Sequence, residues 1–290
     1  MFTAADQTGA TVMLPSFPPK RIVSLVPSQT ELLHYLGLED EVVGITKFCV
    51  HPREWFESKQ RVGGTKNVHI DMVKTLNPDL IIANKEENVK AQVDELKTIA
   101  PVWVSDISNL DDALKMIRQA GLLVNKKEKA ESLASQIETN FKKLIEPSNN
   151  QSNSKHFQIS EFSNSQIIRV AYLIWHDPYM AVAGGTFIAD MLRRCGFTNI
   201  FENEKRYPEI TLQQLAKLNC KYVFLSSEPF PFKGQHAEEI RKQLPGTKVV
   251  FVNGEMFSWY GSRLLLATQY FKELTINVHD FNDSIDSDVA

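Results

Sequence analysis

Short runs of β-branched and aliphatic residues recur along this chain, separated by stretches with helical spacing. The runs predict strands at Ile22–Val26, Val42–Ile45, Leu80–Ala83 and Val102–Val104 in the first half. In the second half they predict Ile168–Ile174, Tyr222–Leu225 and Val249–Val252, with a weaker strand at Asn199–Phe201. Helical spacing falls between them at Thr30–Leu36, Met72–Leu76, Leu110–Ala120, Phe187–Cys195 and Leu212–Leu218. Such alternation predicts parallel α/β architecture. Ser28 and Glu31 have the spacing of a capping box at the first helix. From Asn125 to Ile145 the apolar positions Ala130, Leu133, Ile137, Phe141 and Leu144 line one helical face, with Asn125 and Glu128 placed as a capping pair. At ~1.5 Å per residue that helix reaches ~30 Å, enough to run across two domains.

The two halves repeat each other in order. Arg21 to Leu25 corresponds to Arg169 to Leu173, Leu36-Gly37 to Cys195-Gly196, Leu76 to Ile82 to Leu218 to Phe224, and Val102 to Val104 to Val249 to Phe251. Between the halves, ten of the twenty residues at 147–166 are Ser or Asn, which predicts a solvated loop. The expected organisation is therefore an α/β lobe at 1–122, a bridging helix at 123–146, a loop at 147–166 and a second α/β lobe at 167–290. Both lobes are expected to be Rossmann-like with parallel sheets.

Length agrees, since 290 residues is about twice the usual single-domain size. A 43% hydrophobic and 23% charged composition suits a chain with a sizeable core. The net charge of −3 and pI near 6.2 give no electrostatic case for a nucleic-acid partner or an acidic membrane surface. Apolar runs such as Ala171 to Trp175 are far shorter than the ~20 residues of a membrane span. The first ten residues, MFTAADQTGA, carry neither the basic region nor the apolar core of a secretory signal, which leaves both a cytoplasmic and an exported location open. Cys49, Cys195 and Cys220 are widely spaced and read as buried free thiols.

Ligands of open parallel sheets bind at the carboxyl ends of the strands. There the second half offers Trp175, His176, Asp177 and Tyr179, then Glu228, Phe230 and Phe232, then Phe257, Trp259 and Tyr260. Seven aromatics in three loops suit a large, flat, partly apolar ligand, though about half are expected to pack inward as loop anchors. The first half offers Pro27–Ser28, Phe48 and Asn84 to Glu86. Phosphate-loop, nucleophile-elbow and zinc-protease motifs are absent. Gly63-Gly64-Thr65 and Gly184-Gly185-Thr186 read as tight turns before helices. Asp177 and Glu228 read as solvated rim positions more readily than as an acid/base pair. His51, His69, His176 and His236 are scattered without ligand spacing, so no dedicated metal site and no intrinsic cofactor is expected. His176, beside Trp175, is the histidine best placed to touch a ligand.

The residues Pro19 to Glu31 (PKRIVSLVPSQTE), Val62 to Thr65, Leu76 to Leu80, Tyr172 to Pro178, Gly184 to Ile188, Arg206 to Ile210, Ser227 to Phe232 and Gly254 to Gly261 resemble, in order and spacing, the substrate-binding proteins of ABC importers for vitamin B12, haem and iron–siderophores. The resemblance covers about residues 19 to 275 and is strongest to the cobalamin-binding branch. It implies two α/β lobes joined by one backbone helix, a ligand cleft between them, no catalysis, and a monomer that serves an ABC permease and ATPase from the periplasm or cell surface. It places Phe48 and Tyr207 where cobalamin binders carry aromatics around the corrin, and it puts Thr65 and Asn84 where that branch has tryptophans. It assigns Asp71 to permease docking. The internal repeat maps Asp71 onto Gln213, which has no charge, with Glu209 four residues earlier as the acidic substitute. Haem or a ferric siderophore is the alternative ligand. A further alternative is a cytoplasmic protein handling corrinoids or metal complexes on the same scaffold.

Overall fold

The computed structural model describes residues 2–145 and 168–286, so the Ser/Asn-rich stretch at 147–166 lies outside the described residues. The chain forms two compact units. One comprises Met1–Ile107, Asp111–Ile137 and Trp259–Arg263; the other comprises Ser108–Leu110, Glu138–Ser258 and Leu264–Ala290.

The first unit opens with an antiparallel hairpin of β1 (Phe2–Ala5) and β2 (Thr11–Leu14). It continues through β3 (Ile22–Ser24), α1 (Pro27–Leu36), β4 (Val42–Ile45), α2 (Arg53–Ser58), β5 (Gln60–Arg61), α3 (Ile70–Thr75), β6 (Leu80–Asn84), α4 (Lys90–Leu96), β7 (Val102–Ser105) and α5 (Leu110–Leu123). The five strands after the hairpin form a parallel sheet in the order β5-β4-β3-β6-β7. β3 and β6 are fully buried, as helix-covered parallel strands require. The chain leaves β3 toward β4 on one side and reaches β6 on the other. That reversal puts the β3 and β6 ends at a topological switch point.

The capping box expected at Ser28 and Glu31 does not form. Pro27 lacks an N–H and has its φ pre-set for the first helical turn, so α1 starts there with Val26 as its uncapped neighbour. The Glu31 carboxylate is occupied instead by Arg263. The long helix, α6 (Lys127–Ile145), starts two residues later than its expected cap. Asn125 has φ 58° and forms the left-handed turn between α5 and α6. The predicted apolar face holds, because Ala130, Leu133, Ile137, Phe141 and Leu144 are all buried. Residues of α6 through Ile137 belong to the first unit and those from Glu138 to the second.

The second unit runs through β8 (Ile168–Trp175), β9 (Tyr179–Ala181), α7 (Phe187–Arg194), β10 (Phe197–Asn199), β11 (Glu209–Ile210), α8 (Leu212–Lys217), β12 (Tyr222–Ser226), α9 (Gly234–Gln243), β13 (Lys248–Val252), α10 (Gly254–Ser258) and α11 (Leu264–Asp286). Its sheet has the order β11-β9-β8-β12-β13, with β10 beside β8. β8, β10, β12 and β13 are parallel. β9 and β11 are antiparallel additions, since the short link from Trp175 to Tyr179 permits only a return strand. The weak strand expected at Asn199–Phe201 is shifted to Phe197–Asn199. Thr186 ends the Gly184-Gly185 turn as the cap of α7, its hydroxyl accepting from the Ala189 amide at 3.2 Å.

The repeat seen in sequence has a conformational basis. Gly37 and Gly196 end corresponding helices at φ 82° and 80°, and Asn77 and Asn219 take left-handed φ of 44° and 49°. In one unit β3 pairs with β6, Ile22 opposite Leu80; in the other β8 pairs with β12, Val170 opposite Tyr222.

All three cysteines are buried and free. Burial raises each thiol above its ordinary range, Cys220 to about 11. Native protein at pH 8 is therefore expected to show no rapid reaction with a disulfide thiol reagent, and three thiols should appear on unfolding. Fast labelling of the native chain would contradict this burial.

Candidate ligand-binding site

In the first unit, the strand-end loops present one exposed aromatic ring. Phe48, after β4, is half exposed, and the Lys47 ammonium lies 5.1 Å from its centroid. The ring rests on Gly64, where a Cβ would come within 3.1 Å of it. Thr65 and Asn84, where the resemblance set tryptophans in other members, are buried braces. Asn84 Oδ1 accepts from the Glu86 and Glu87 amides, which turns its Nδ2 toward Ser105 Oγ at 2.9 Å. The Asn88 side chain holds the Thr65 carbonyl at 2.9 Å and accepts from the Asn84 amide at 2.8 Å.

Trp259 and Tyr260, expected among the second-lobe loops, pack with the first unit, because the chain after α10 enters it at Trp259–Arg263. Both are buried. The Trp259 ring meets His51 edge-on at 5.5 Å, and the Arg263 guanidinium lies 4.6 Å from its centroid. Arg263 donates two hydrogen bonds to Glu31, Nε to Oε2 at 3.1 Å and Nη2 to Oε1 at 2.7 Å. Gly261 sits so close to α1 that a Cβ would lie 2.5 Å from the Ser28 carbonyl oxygen.

In the second unit the aromatic loops converge. Trp175 is 40% exposed and packs edge-on against Phe230 at 5.6 Å. Phe230 stacks on His176 at 5.6 Å and contacts Phe232 and His236 at 4.9 and 5.2 Å. His176 also touches Tyr179 at 4.9 Å and His236 at 4.8 Å, and its Nε2 is 3.4 Å from Glu239 Oε2. Burial and then the Glu239 charge push the Tyr179 phenol upward, so it stays neutral through the physiological range. Phe232 is the inward-packing anchor of this group.

The loop after β12 is held from below. Tyr172 donates to Ser226 Oγ at 3.1 Å, Ser226 donates to the Glu228 carbonyl at 2.6 Å, and Ser258 donates to the Glu228 carboxylate at 2.5 Å. Glu228 is thus a loop brace, while Asp177 is exposed at the turn after β8. Tyr207 is half-buried just before β11, with the Arg206 guanidinium 5.8 Å from its ring. Asp71 is exposed in the first turn of α3. Glu209 is exposed in strand β11, outside the helix that carries Gln213.

His236 and Glu239 complete the second-unit cluster, although neither lies in a strand-end loop. Their three-residue spacing on α9 puts both on one helical face, the signal that marks them. Among the described residues, no group of three or more His, Cys, Asp or Glu side chains is arranged to hold a metal ion. What the cluster offers is flat stacking area edged by an imidazole and a phenol, the chemistry of non-covalent binding.

Residues 22–250 match the periplasmic binding protein family. The chain belongs to that family. The family is one of substrate-binding proteins. This member is 30% identical over 207 residues to the uncharacterized ABC transporter substrate-binding lipoprotein YvrC of Bacillus subtilis strain 168, covering 69% of this chain and 62% of that protein. Its fold matches that of the periplasmic vitamin B12 binding protein BtuF of Vibrio cholerae with a TM-score of 0.71 at 22% identity, covering 90% of this chain and 99% of that one. The apo periplasmic heme-binding protein RhuT of Roseiflexus sp. RS-1 matches with a TM-score of 0.73 at 18% identity, over 90% and 98% of the two chains. Among the described residues no helix of this family member is long and apolar enough to cross a membrane.

Proposed function

We propose that this protein is the substrate-binding component of an ABC-type importer, acting outside the cytoplasmic membrane, and that its ligand is a corrinoid of the vitamin B12 kind. The observation that carries the reading is the second unit's aromatic cluster, with Trp175 exposed at the carboxyl end of β8 and Phe230 and His176 beside it. An exposed indole at a strand end, backed by Phe230 on a braced loop, suits the face of a macrocycle. The ligand is carried unchanged, as a receptor's cargo.

Titration with cyanocobalamin tests this, with a Kd below ~1 μM expected; no binding at ~100 μM overturns the corrinoid assignment. Trp175→Ala is expected to weaken binding by about 1–3 kcal/mol and to leave stability within about 0.5 kcal/mol. Unchanged affinity would remove Trp175 from the binding surface. A haem reading is favoured by the likeness to RhuT, and parallel titration with haemin decides between the two.

Asp71 and Glu209, both exposed carboxylates, are the residues this reading assigns to basic side chains of the permease. Reversing both charges should weaken association with the cognate permease and leave ligand affinity unchanged. Undiminished association would refute the assignment.

A further inference from the structure

Corresponding edges of the two sheets are finished differently. In the first unit the edge strand is β7, and the chain just after β1 runs along it. The Gln7 amide donates to the Val104 carbonyl at 3.1 Å, Trp103 Nε1 donates to the Ala5 carbonyl at 3.3 Å, and the Asp106 amide donates to Gln7 Oε1 at 3.1 Å. Val104 is 6% exposed. The repeat places Val249 to Phe251 of β13 where Val102 to Val104 stand in β7. β13 likewise ends its sheet, but among the described residues no strand lies beyond it.

That edge is apolar and has backbone groups to offer. In a parallel pair, alternate residues turn their amide and carbonyl groups toward the neighbouring strand. The Lys248 amide donates to the Lys221 carbonyl and the Val252 carbonyl accepts from the Ser227 amide, so Lys248, Val250 and Val252 face β12. Val249 and Phe251 therefore turn theirs outward. Of these outward groups, among the described residues, only the Val249 carbonyl has a partner, Arg241 Nη2 at 3.4 Å. The Phe251 ring is 48% exposed. Beside it a groove of ≈ 490 Å³ runs between β13 and α11, lined by Val250, Phe251, Tyr270, Leu274 and Asn277 among others. Leu266, also exposed, shares a helical face with Tyr270, Glu273 and Asn277 by its spacing. An uncovered apolar edge is a template for another strand.

We propose that β13 is a self-association edge: two copies of this chain pair their β13 strands antiparallel about a two-fold axis through Val250. The inference stands apart from the choice of ligand. The edge itself specifies the occupant. It must be extended, must present amide and carbonyl groups at alternate residues, and must bring apolar side chains. β13 of a second copy meets all three. Centred on Val250, Val249 and Phe251 of each copy exchange hydrogen bonds with Phe251 and Val249 of the other, four in all, as the long Arg241 contact gives way. Phe251 then lies over the second copy's Val249, which is only partly covered in one copy.

Charge favours the same arrangement. α11 runs antiparallel to β13, since the Tyr270 hydroxyl accepts from the Asn253 amide at one end and Tyr222, opposite Lys248, donates to the Val278 carbonyl at the other. Lys248 thus marks one end of the edge, and Glu273, exposed on α11, lies nearer the other. Burial and then the Lys221 charge hold the Lys248 ammonium below its ordinary range, so a carboxylate stabilises that end. Antiparallel pairing turns it toward the Glu273 half of the second copy's edge. A contact of one five-residue strand and one helix face is small, so the dimer is weak and forms at high concentration, in place of the strict monomer that the resemblance implies.

Sedimentation velocity of the full chain tests this. With a Kd of ~100 μM, dimer should rise from below ~10% at ~5 μM to above ~50% at ~500 μM. Phe251→Lys, at an exposed site, should weaken association by about tenfold or more, as charge on an edge strand does. Cysteine cross-linking checks the register, with the three native thiols buried. Val250 meets its own copy across the axis as a non-hydrogen-bonded pair, Cα atoms ~4.5 Å apart, so Val250→Cys should form a disulfide-linked dimer on mild oxidation. Phe251→Cys carries the more exposed thiol, but its two copies lie diagonally, roughly 7–8 Å apart, and should not. Association that grows with concentration, falls in Phe251→Lys and cross-links in Val250→Cys alone supports the inference. A chain that stays monomeric to ~500 μM overturns it and leaves the edge to a different protein's strand. Association that Phe251→Lys leaves unchanged belongs to another face and overturns it too, as does cross-linking in Phe251→Cys as readily as in Val250→Cys. Hydrogen exchange covers the remaining occupant. The Phe251 amide should exchange fast at ~5 μM and slowly by ~500 μM; slow exchange at both would show that the same chain covers its own edge, which overturns the inference.

Discussion

Trp259→Ala is expected to lower the unfolding free energy by about 3–5 kcal/mol, the range for removing a buried tryptophan ring. The indole is 5% exposed, held edge-on by His51 at 5.5 Å and faced by the Arg263 guanidinium at 4.6 Å. Truncation leaves a cavity in the first unit and removes the face on which a partly desolvated cation rests. Urea unfolding should show a lower midpoint with an unchanged slope, the signature of lost stability without a changed end state. A loss below ~1 kcal/mol would show that the ring is not a packing residue. The contrast with Trp175, 40% exposed, is what makes the pair informative. One substitution should cost mainly stability and the other mainly affinity, although sequence alone puts both tryptophans in strand-end loops.

That contrast marks where the sequence was legible. Helices and strands with several turns or alternations announced themselves, and the buried face of α6 came from spacing alone. The short pieces β1, β2, β5 and β11 did not, whereas β4, equally short, did through the aliphatic residues of Val42–Ile45. The aromatic loops around Trp175 and Phe230 lie at the carboxyl ends of predicted strands, so the strand pattern alone locates them. The side chains that complete their cluster, His236 and Glu239, sit on a helix face that no strand end marks. The membership of Trp259 was hidden for another reason. Its packing depends on Glu31 and Arg263, partners 232 positions apart, and no local pattern reports a pairing at that distance. The same pairing explains why a sequence that spells a capping box makes none. A carboxylate with two suitors goes to the buried guanidinium, whose charge cannot be given up, rather than to a backbone amide that the start of α1 at Pro27 has already moved out of place.

Asp190→Ala should be comparably damaging, by about 3–5 kcal/mol, through electrostatics rather than volume. The Asp190 carboxylate is 4% exposed in α7 and has three donors: the Leu110 amide at 2.9 Å, Arg193 Nη1 at 2.8 Å and Arg194 Nε at 2.8 Å. Arg193 is well exposed and can turn to water, so its share is small. Arg194 is mostly covered and the Leu110 amide is buried, so these two would be left without an acceptor. Asp190→Asn keeps one acceptor oxygen and should cost about half as much. In a chain of this length, ~3 kcal/mol corresponds to a fall in Tm of about 6–12 °C, which a thermal melt resolves. A Tm within ~2 °C of wild type would mean that the arginines find other partners. Three donors on one buried carboxylate would then be a feature of geometry and not of energy.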